Sequence, residues 1–542
     1  MGRGANCAVD GTCGIRTPYD HIGCDCATRP SDYDALLDLL PALDLSNGVF
    51  GGIIGGGVER GPMVVGITFG RPIALARCIS NAHNALVHRH LATPQNKINI
   101  LIPNYLLTIL FPILRPRYFQ ALTQNLEGQW RVGRGQAKLE AIDHSKIFHE
   151  AQWHKAKSFV KFEVGVSMPT KARLIQGNQN EFTAYEYPEE YAAFSEALKE
   201  AIEFEHSGVT FKFQYAGGCD HDQLSEMFTD AYMSAGAHVI IDERDGKNWD
   251  STMQYETLKC EGELYEALGM SAAEAFFARA SGVKGTISYP KKGWKSFISY
   301  VTRWKRLSGD WDTSVGNSLI SMLITIFTIV SLPQHLRPLN VFALFMGDDY
   351  LGVYRFAERV AHVDLKLALD HYEALCGITP MRGLFTDPLL ISFISLGLWP
   401  RHEGGYQFVP HPARQLVKLF SSVRPLAAAQ LDDYQTSLSI AFWPVYWGWP
   451  LMMKFLKKHY TKPTTKMTCQ FYFHRMLTGR CRHVDWCSGF VAKYEIPFVS
   501  THFEVGDALF QRHPVVDHML RFENADPAAR SNLARELKWS DY

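Results

Sequence analysis

The sequence predicts an α+β fold, and three segments carry that reading. HVIIDERDG (238–246) is a short apolar run that ends in acids, the pattern of a buried strand whose last residues reach an edge. VFALFMGDDYLGVY (341–354) is two apolar runs around Gly-Asp-Asp, a hairpin signature. TSVGNSLISMLITIFTIVSL (313–332) is apolar on every face, which predicts a long helix inside a core.

The remaining elements are read in chain order. Residues 46–70 are rich in glycine and predict turns between short strands. Lys146, Lys155, Lys157, Lys161, Lys171 and Arg173 concentrate cations between positions 143 and 173, and most such runs are solvated faces. DSTMQYETLKCEGELYEAL (250–268) predicts a helix, and the pattern after about residue 400 is mainly helical.

Composition excludes some classes. With 46% hydrophobic and 13% aromatic residues among 542, the chain holds too much apolar material for a disordered protein. Lys plus Arg equals Asp plus Glu at 55 each, so bulk charge announces no nucleic-acid partner, although a groove needs only local cations. Eleven irregularly spread cysteines and a polar start suggest a reduced, intracellular protein. Gly2 lacks the Ser or Thr at position six that myristoylation needs.

Three segments test for membrane contact. Residues 98–114 are interrupted by Asn99, Pro103, Asn104 and Pro112, and Leu319–Leu332 is too short to span. Trp443, Trp447 and Trp449 followed by Lys454, Lys457 and Lys458 fit an interfacial patch or, more plainly, the aromatic core of a helical domain. Cys7, Cys13, His21, Cys24 and Cys26, and again Cys469, His474, Cys481, His483 and Cys487, form clusters without paired Cys-x2-Cys spacing, so free cysteines are the expectation over zinc.

The acids suggest chemistry. Gly347 permits a tight turn that exposes Asp348 and Asp349, but roughly one chain in ten of this length contains Gly-Asp-Asp by chance, so the triplet alone is weak. Asp245 ends its strand and is followed by Asp250 at the fifth residue, a spacing that favours Asp245 over the competing acids Asp242 and Glu243. Ser308 and Gly309 lead into a helix on which Thr313 and Asn317, four apart, share one face. That pattern falls in well under about 1% of chains by chance and is the sharpest signal present.

The ordered series Asp245-x4-Asp250, Ser308-Gly309-x3-Thr313-x3-Asn317 and Gly347-Asp348-Asp349 resembles the palm motifs of viral RNA-dependent RNA polymerases. FVKFEVGVSMPTKARLIQG (159–177) looks like their basic fingertip motif, and ISFISLGLWP (391–400) and VPHPARQLVKL (409–419) are similar to the primer-grip region and following segment of the tombus- and noda-like group. The resemblance covers about residues 155–420. It implies one interlocked right hand of fingers, palm and thumb, with an antiparallel palm sheet and a mostly helical thumb: 1–145 as an N-terminal extension and part of the fingers, 146–235 as fingers with the basic fingertip motif, 236–400 as palm with an inserted fingers segment at about 255–305, and 401–542 as thumb and C-terminal region. It further implies template-directed nucleotidyl transfer by two Mg²⁺ ions, with Mn²⁺ as a substitute.

By the same resemblance, Asp245, Asp348 and Asp349 serve the metals, and Asp250 and Asn317 read the ribose 2′-hydroxyl. Ser308, Gly309 and Thr313 position the template–nucleotide pair, while Lys161, Lys171 and Arg173 neutralise the triphosphate. The implied partners are template and nascent RNA, nucleoside triphosphates, and host membranes or other replicase components in the cytoplasm. The family often places a lysine after the second palm helix; GITPMRG (377–383) has none, and Arg382 stays protonated while Lys366 lies earlier. A reverse transcriptase and a non-catalytic RNA-binding scaffold are the competing readings. Asp250, Asn317 and Gly347 weigh against the first, and the absence of basic repeats or disordered arms weighs against the second.

Overall fold

The structure is a computed structural model that describes residues 154–161, 164–165, 173–178, 188–291, 294–400 and 405–410, shorter stretches at 73–74, 82–83, 85–86, 91, 105–124, 126 and 140, and positions 442 and 456. It begins with β1 (Ile73–Ala74), α1 (Phe111–Leu122), β2 (Lys155–Val160), β3 (Val164–Gly165), β4 (Leu174–Asn178) and α2 (Pro188–Lys199). The hairpin β5 (Ile202–His206) and β6 (Val209–Tyr215) leads to α3 (His221–Ser234) and β7 (Val239–Gly246). Three helices follow, α4 (Trp249–Thr252), α5 (Tyr255–Ala267) and α6 (Ala272–Ser281), then the hairpin β8 (Val283–Lys291) and β9 (Trp294–Thr302). After α7 (Thr313–Ser331) come β10 (Asn340–Met346), β11 (Asp349–Arg355), α8 (His362–Leu375), β12 (Pro380–Phe385), β13 (Ser392–Phe393), β14 (Leu396–Pro400) and β15 (Tyr406–Pro410).

The fold is α+β, organised on a six-stranded sheet in the order β12-β7-β11-β10-β6-β5. Four of its pairings are antiparallel, but β10 runs parallel to β6, so the sheet is mixed where an antiparallel one was expected. Parallel neighbours need a long crossover, and the chain between β6 and β10 supplies one that contains α3 to α7.

Side-chain alternation divides the sheet into two buried faces. Phe211, Phe213, Phe345, Tyr350 and Tyr354 enter the large core shared with α1, α2, α5, α6, α7 and α8. Ile241, Phe342, Leu344, Leu351 and Val353 face the other way, into a second core with Leu224 and Phe228 of α3 and the small sheet β13-β14-β15. Every residue of α7 from Val315 to Ile329 is buried, which is why a helix apolar enough to cross a membrane lies inside the core instead.

The structure cuts across three expectations. The helix predicted from residue 250 is broken: Met253 is extended and buried at 1%, and α5 restarts after Gln254. The expected insertion also divides, since α5 and α6 join the main core whereas β8 and β9 pair with β2 and β4 in a separate four-stranded sheet. The β14–β15 hairpin runs across the boundary expected at residue 400. Residues 46–70, both Cys/His clusters, the tryptophan-rich stretch apart from Phe442 and Leu456, and most of 401–542 lie outside the described residues.

Candidate active site

Strand parity sorts the acids. Arg244 and Asp242 point to the helical side of β7, so Glu243 and Asp245, offset by one, point to the opposite side. The registered pairs Leu351↔Glu243 and Tyr350↔Arg244 place Asp349 opposite Asp245 one step further along. Side chains directly opposite across an antiparallel pair have Cβ atoms roughly 5 Å apart. Met346↔Asp349 closes the β10–β11 hairpin, which leaves Gly347 and Asp348 as its two-residue turn. Gly347 has φ +69° and Asp348 is not left-handed, the II′ arrangement that matches strand twist.

Charge crowding follows from that placement. Asp349 is pushed up to about 7, first by burial and then by the negative charges of Asp348, Asp245 and Glu243, with Arg173 opposing. Glu243 is pushed up to about 7 by burial, against the stabilising N–H of Ser392, which donates to its Oε2 at 2.8 Å. Asp245 itself is exposed. Two acids regarded as competitors of Asp245 therefore part company. Glu243 joins the acidic face, while Asp242 is buried on the helical side, where it accepts from Tyr354 Oη at 2.7 Å and from Arg382 Nη1 at 2.5 Å. Neither is a solvated surface acid.

The hairpin tip is held from α7. Gly347 N–H donates to Ser318 Oγ at 2.8 Å, and Ser318 in turn donates to the Ser314 carbonyl at 2.8 Å. Ser314 Oγ also meets Tyr215 Oη at 2.9 Å. The same helix thus carries Asn317 and steadies the turn bearing Asp348.

Thr313 and Asn317 were expected to share a face with something to hydrogen-bond, and the first partners are in the preceding loop. Thr313 Oγ1 donates to the Leu307 carbonyl at 2.7 Å, and Asn317 Oδ1 accepts from Arg306 Nε at 2.8 Å. Ser308 Oγ donates to the Leu174 carbonyl at 3.0 Å, which ties the loop to the start of β4 next to Arg173, and Gly309 is exposed beside it. Asp250 is half-buried; its carbonyl accepts from Arg306 N–H at 3.2 Å. Gly246 and Asn248 create this return. A Cβ on Gly246 would lie 2.3 Å from the Trp249 ring, and Asn248 takes φ +54°, a conformation Asn tolerates.

Arg173 is exposed and lies within Coulomb range of Asp349, while Lys161 N–H donates to the Arg173 carbonyl at 2.8 Å. Two of the three cations expected to meet a triphosphate therefore stand at the paired ends of β2 and β4, and Arg173 is near the acids. Lys171 lies outside the described residues.

Sequence reading missed Arg306, which is 2% exposed and ion-paired to both Glu261 and Asp312. It also missed the ionic group beneath β7. Arg382, set aside earlier as a poor acid, is fully buried among Asp242, Asp370 and Glu373, and Arg244 joins Glu373 while lying 4.2 Å over the Tyr350 ring. Lys366 pairs with Asp370 at 2.8 Å. The local signal for these was a charged residue inside an apolar strand pattern, but the partners are distant in sequence.

Among the described residues no three His, Cys, Asp or Glu side chains already form a group that encloses a metal ion. The donor set suits an ion that brings most of its own shell: hard carboxylate oxygens, with Asp349 raised first by burial and then by its acidic neighbours, and Arg173 within Coulomb range. No known protein-family model matches the chain, and no curated protein matches it.

Proposed function

We propose that the chain is an RNA-directed RNA polymerase, a nucleotidyltransferase that copies a positive-strand viral RNA genome. The observation that carries this reading is the approach of Asp245 at the end of β7 to Asp349 at the start of β11, with Asp348 in the adjoining turn and Arg173 in Coulomb range of Asp349. In this reading the six-stranded sheet is the palm of a right hand, the four-stranded sheet belongs to the fingers, and the thumb follows residue 400. The host cytoplasm, at membrane-associated replication complexes, is the proposed location.

Asp245, Asp348 and Asp349 would hold the divalent ions. Two bound Mg²⁺ ions supply activation of the RNA 3′-hydroxyl and neutralisation of the leaving pyrophosphate. The chain's own residues do the rest. Arg173, Lys161 and Lys171 bind the triphosphate by charge-assisted hydrogen bonds. Ser308, Gly309 and Thr313 shape the loop under the template–nucleotide pair, its conformation fixed by the bonds to Leu174 and Leu307. Asp250 and Asn317 contact the ribose. Arg382 is committed to its buried ion pairs and holds β12 against β7, so it moves no proton.

Full-length chain incubated with an RNA template, ribonucleotides and Mg²⁺ should synthesise complementary RNA. Asp348→Ala should lower the rate by roughly 10³-fold or more, since several kcal/mol of transition-state stabilisation is at stake, with the fold retained. Equal activity in parent and variant, or no template-dependent product from the parent, would overturn the proposal. Preferential use of deoxynucleotides would favour a reverse transcriptase.

A further inference from the structure

We infer that Arg306 is a positioning residue that sets which end of the Asn317 amide faces the incoming sugar; this rests on the polymerase reading above. Arg306 and Asn317 are each 2% exposed, and Arg306 Nε donates to Asn317 Oδ1 at 2.8 Å. A guanidinium has donors and no acceptor, so the partner atom must be the amide oxygen. The amide nitrogen is thereby turned away from Arg306, and Asn317 offers its other surroundings only N–H donors. An amide in that orientation suits a sugar oxygen that accepts. The reverse orientation would set the amide N–H donors against the Arg306 Nε–H, donor against donor.

Arg306 can dictate this because it is itself held from every other side. Its Nη1 lies 3.2 Å from Glu261 Oε1, shorter bonds join Nη2 to Glu261 Oε2 and Nη1 to Asp312 Oδ2, and Tyr265 Oη donates to Glu261 at 2.7 Å. Asp310, the other acid of the loop, is occupied by Arg279 through contacts of 2.9 and 2.6 Å. Gly316 makes the approach possible: a Cβ there would sit 2.0 Å from Glu261 Oε1 and 2.9 Å from Arg306 Nη2. The same segment also grips the other half of the pair. Arg306 N–H donates to the Asp250 carbonyl at 3.2 Å, and Lys305 Nζ donates to the Ser251 carbonyl. One residue therefore touches both Asp250 and Asn317, from the backbone of the first to the side chain of the second.

The test is the ratio of kcat/KM for ATP to that for 2′-deoxyATP on an RNA template, measured with the full chain. Arg306→Lys keeps a cation between Glu261 and Asp312 but loses the planar fork. It should lower the ribo-to-deoxy ratio about tenfold, the equivalent of one hydrogen bond of about 1.4 kcal/mol. A role confined to stability would lower both substrates alike and leave the ratio where it was, which would overturn the inference. Asn317→Asp, which keeps an oxygen for Arg306 and replaces the N–H donors, should lower the ratio at least as far; an unchanged ratio there counts against the donor-facing amide. Should Arg306→Lys not fold, the neutral triple variant Arg306→Met, Glu261→Gln, Asp312→Asn removes the fork and its carboxylates together, and the same ratio decides. A parent that uses neither nucleotide defeats the polymerase reading and this inference with it. A parent that polymerises, with variants that still discriminate, defeats this inference alone.

Discussion

Asp349 shows how much a single side chain can report. Its carboxyl is pushed up to about 7 from an ordinary 3.8, by burial first and then by three neighbouring acids. As pH rises, the unfolded chain therefore loses this proton first, and the folded chain holds it until about 7. The stability tied to this group is present at acid pH and is lost between about 4 and 7. Asp349→Asn removes the conflict. In EDTA, urea unfolding should find the variant more stable than the parent at pH 8, by on the order of 1–2 kcal/mol, with the gap narrowing at pH 5.5. A variant less stable at pH 8 would contradict the crowded-carboxylate account. If these oxygens hold Mg²⁺ as proposed, a proton competes with the metal for them, and Mg²⁺ should bind the parent more weakly as pH falls through about 7. Spacing alone selected Asp245, but it ranked Glu243 only as a rival, because which side of a strand a residue occupies becomes visible once the neighbours of the strand are known.

The β10–β11 hairpin and α7 act as a unit, and both were legible in the sequence because their signals are local. Two apolar runs on either side of Gly347 and its aspartates set the hairpin, and unbroken apolarity set the helix. Their joint was not legible: Ser318 reads as one polar residue in an apolar stretch, yet it accepts the buried Gly347 N–H. Ser318→Ala strands that donor, so it should cost roughly 1–3 kcal/mol of stability and lower kcat more than KM. Gly347→Ala meets nothing within 4 Å at the new Cβ, so its penalty is the left-handed backbone alone, roughly 1–2 kcal/mol. Thermal unfolding of both variants, with wild-type kinetics in Ser318→Ala as the adverse result, checks this joint. The loop before α7 shows the same division. Ser308, Thr313 and Asn317 stand out by spacing, whereas Arg306 is recognised only when Glu261 arrives beside it from α5 and Asp312 of its own loop folds back on it.

Across the whole molecule, the pairings that organise the fold are the ones sequence reading reaches least well. Parallel β6–β10 and the four-stranded sheet joining β2 to β8 bring together residues more than a hundred positions apart. Local pattern carries no information about such partners. The buried ionic group of Asp242, Arg244, Glu373 and Arg382 links β7, β12 and α8 at the level of the whole sheet. Removing one member leaves uncompensated buried charge, so Arg382→Ala should destabilise by about 3–5 kcal/mol in urea unfolding. A loss under 1 kcal/mol would mean that water already reaches the group.

The most direct measurement is Mn²⁺ binding followed by electron paramagnetic resonance, on the parent, Asp245→Ala, Asp348→Ala and the double variant, with RNA and a nucleoside triphosphate present. If the two strands serve one ion cluster, each single change should abolish most of the tight binding and the double change should add little, because the ligands act as a unit. Two independent, additive losses, or tight binding that survives both changes, would contradict the claim that these distant acids share their ions.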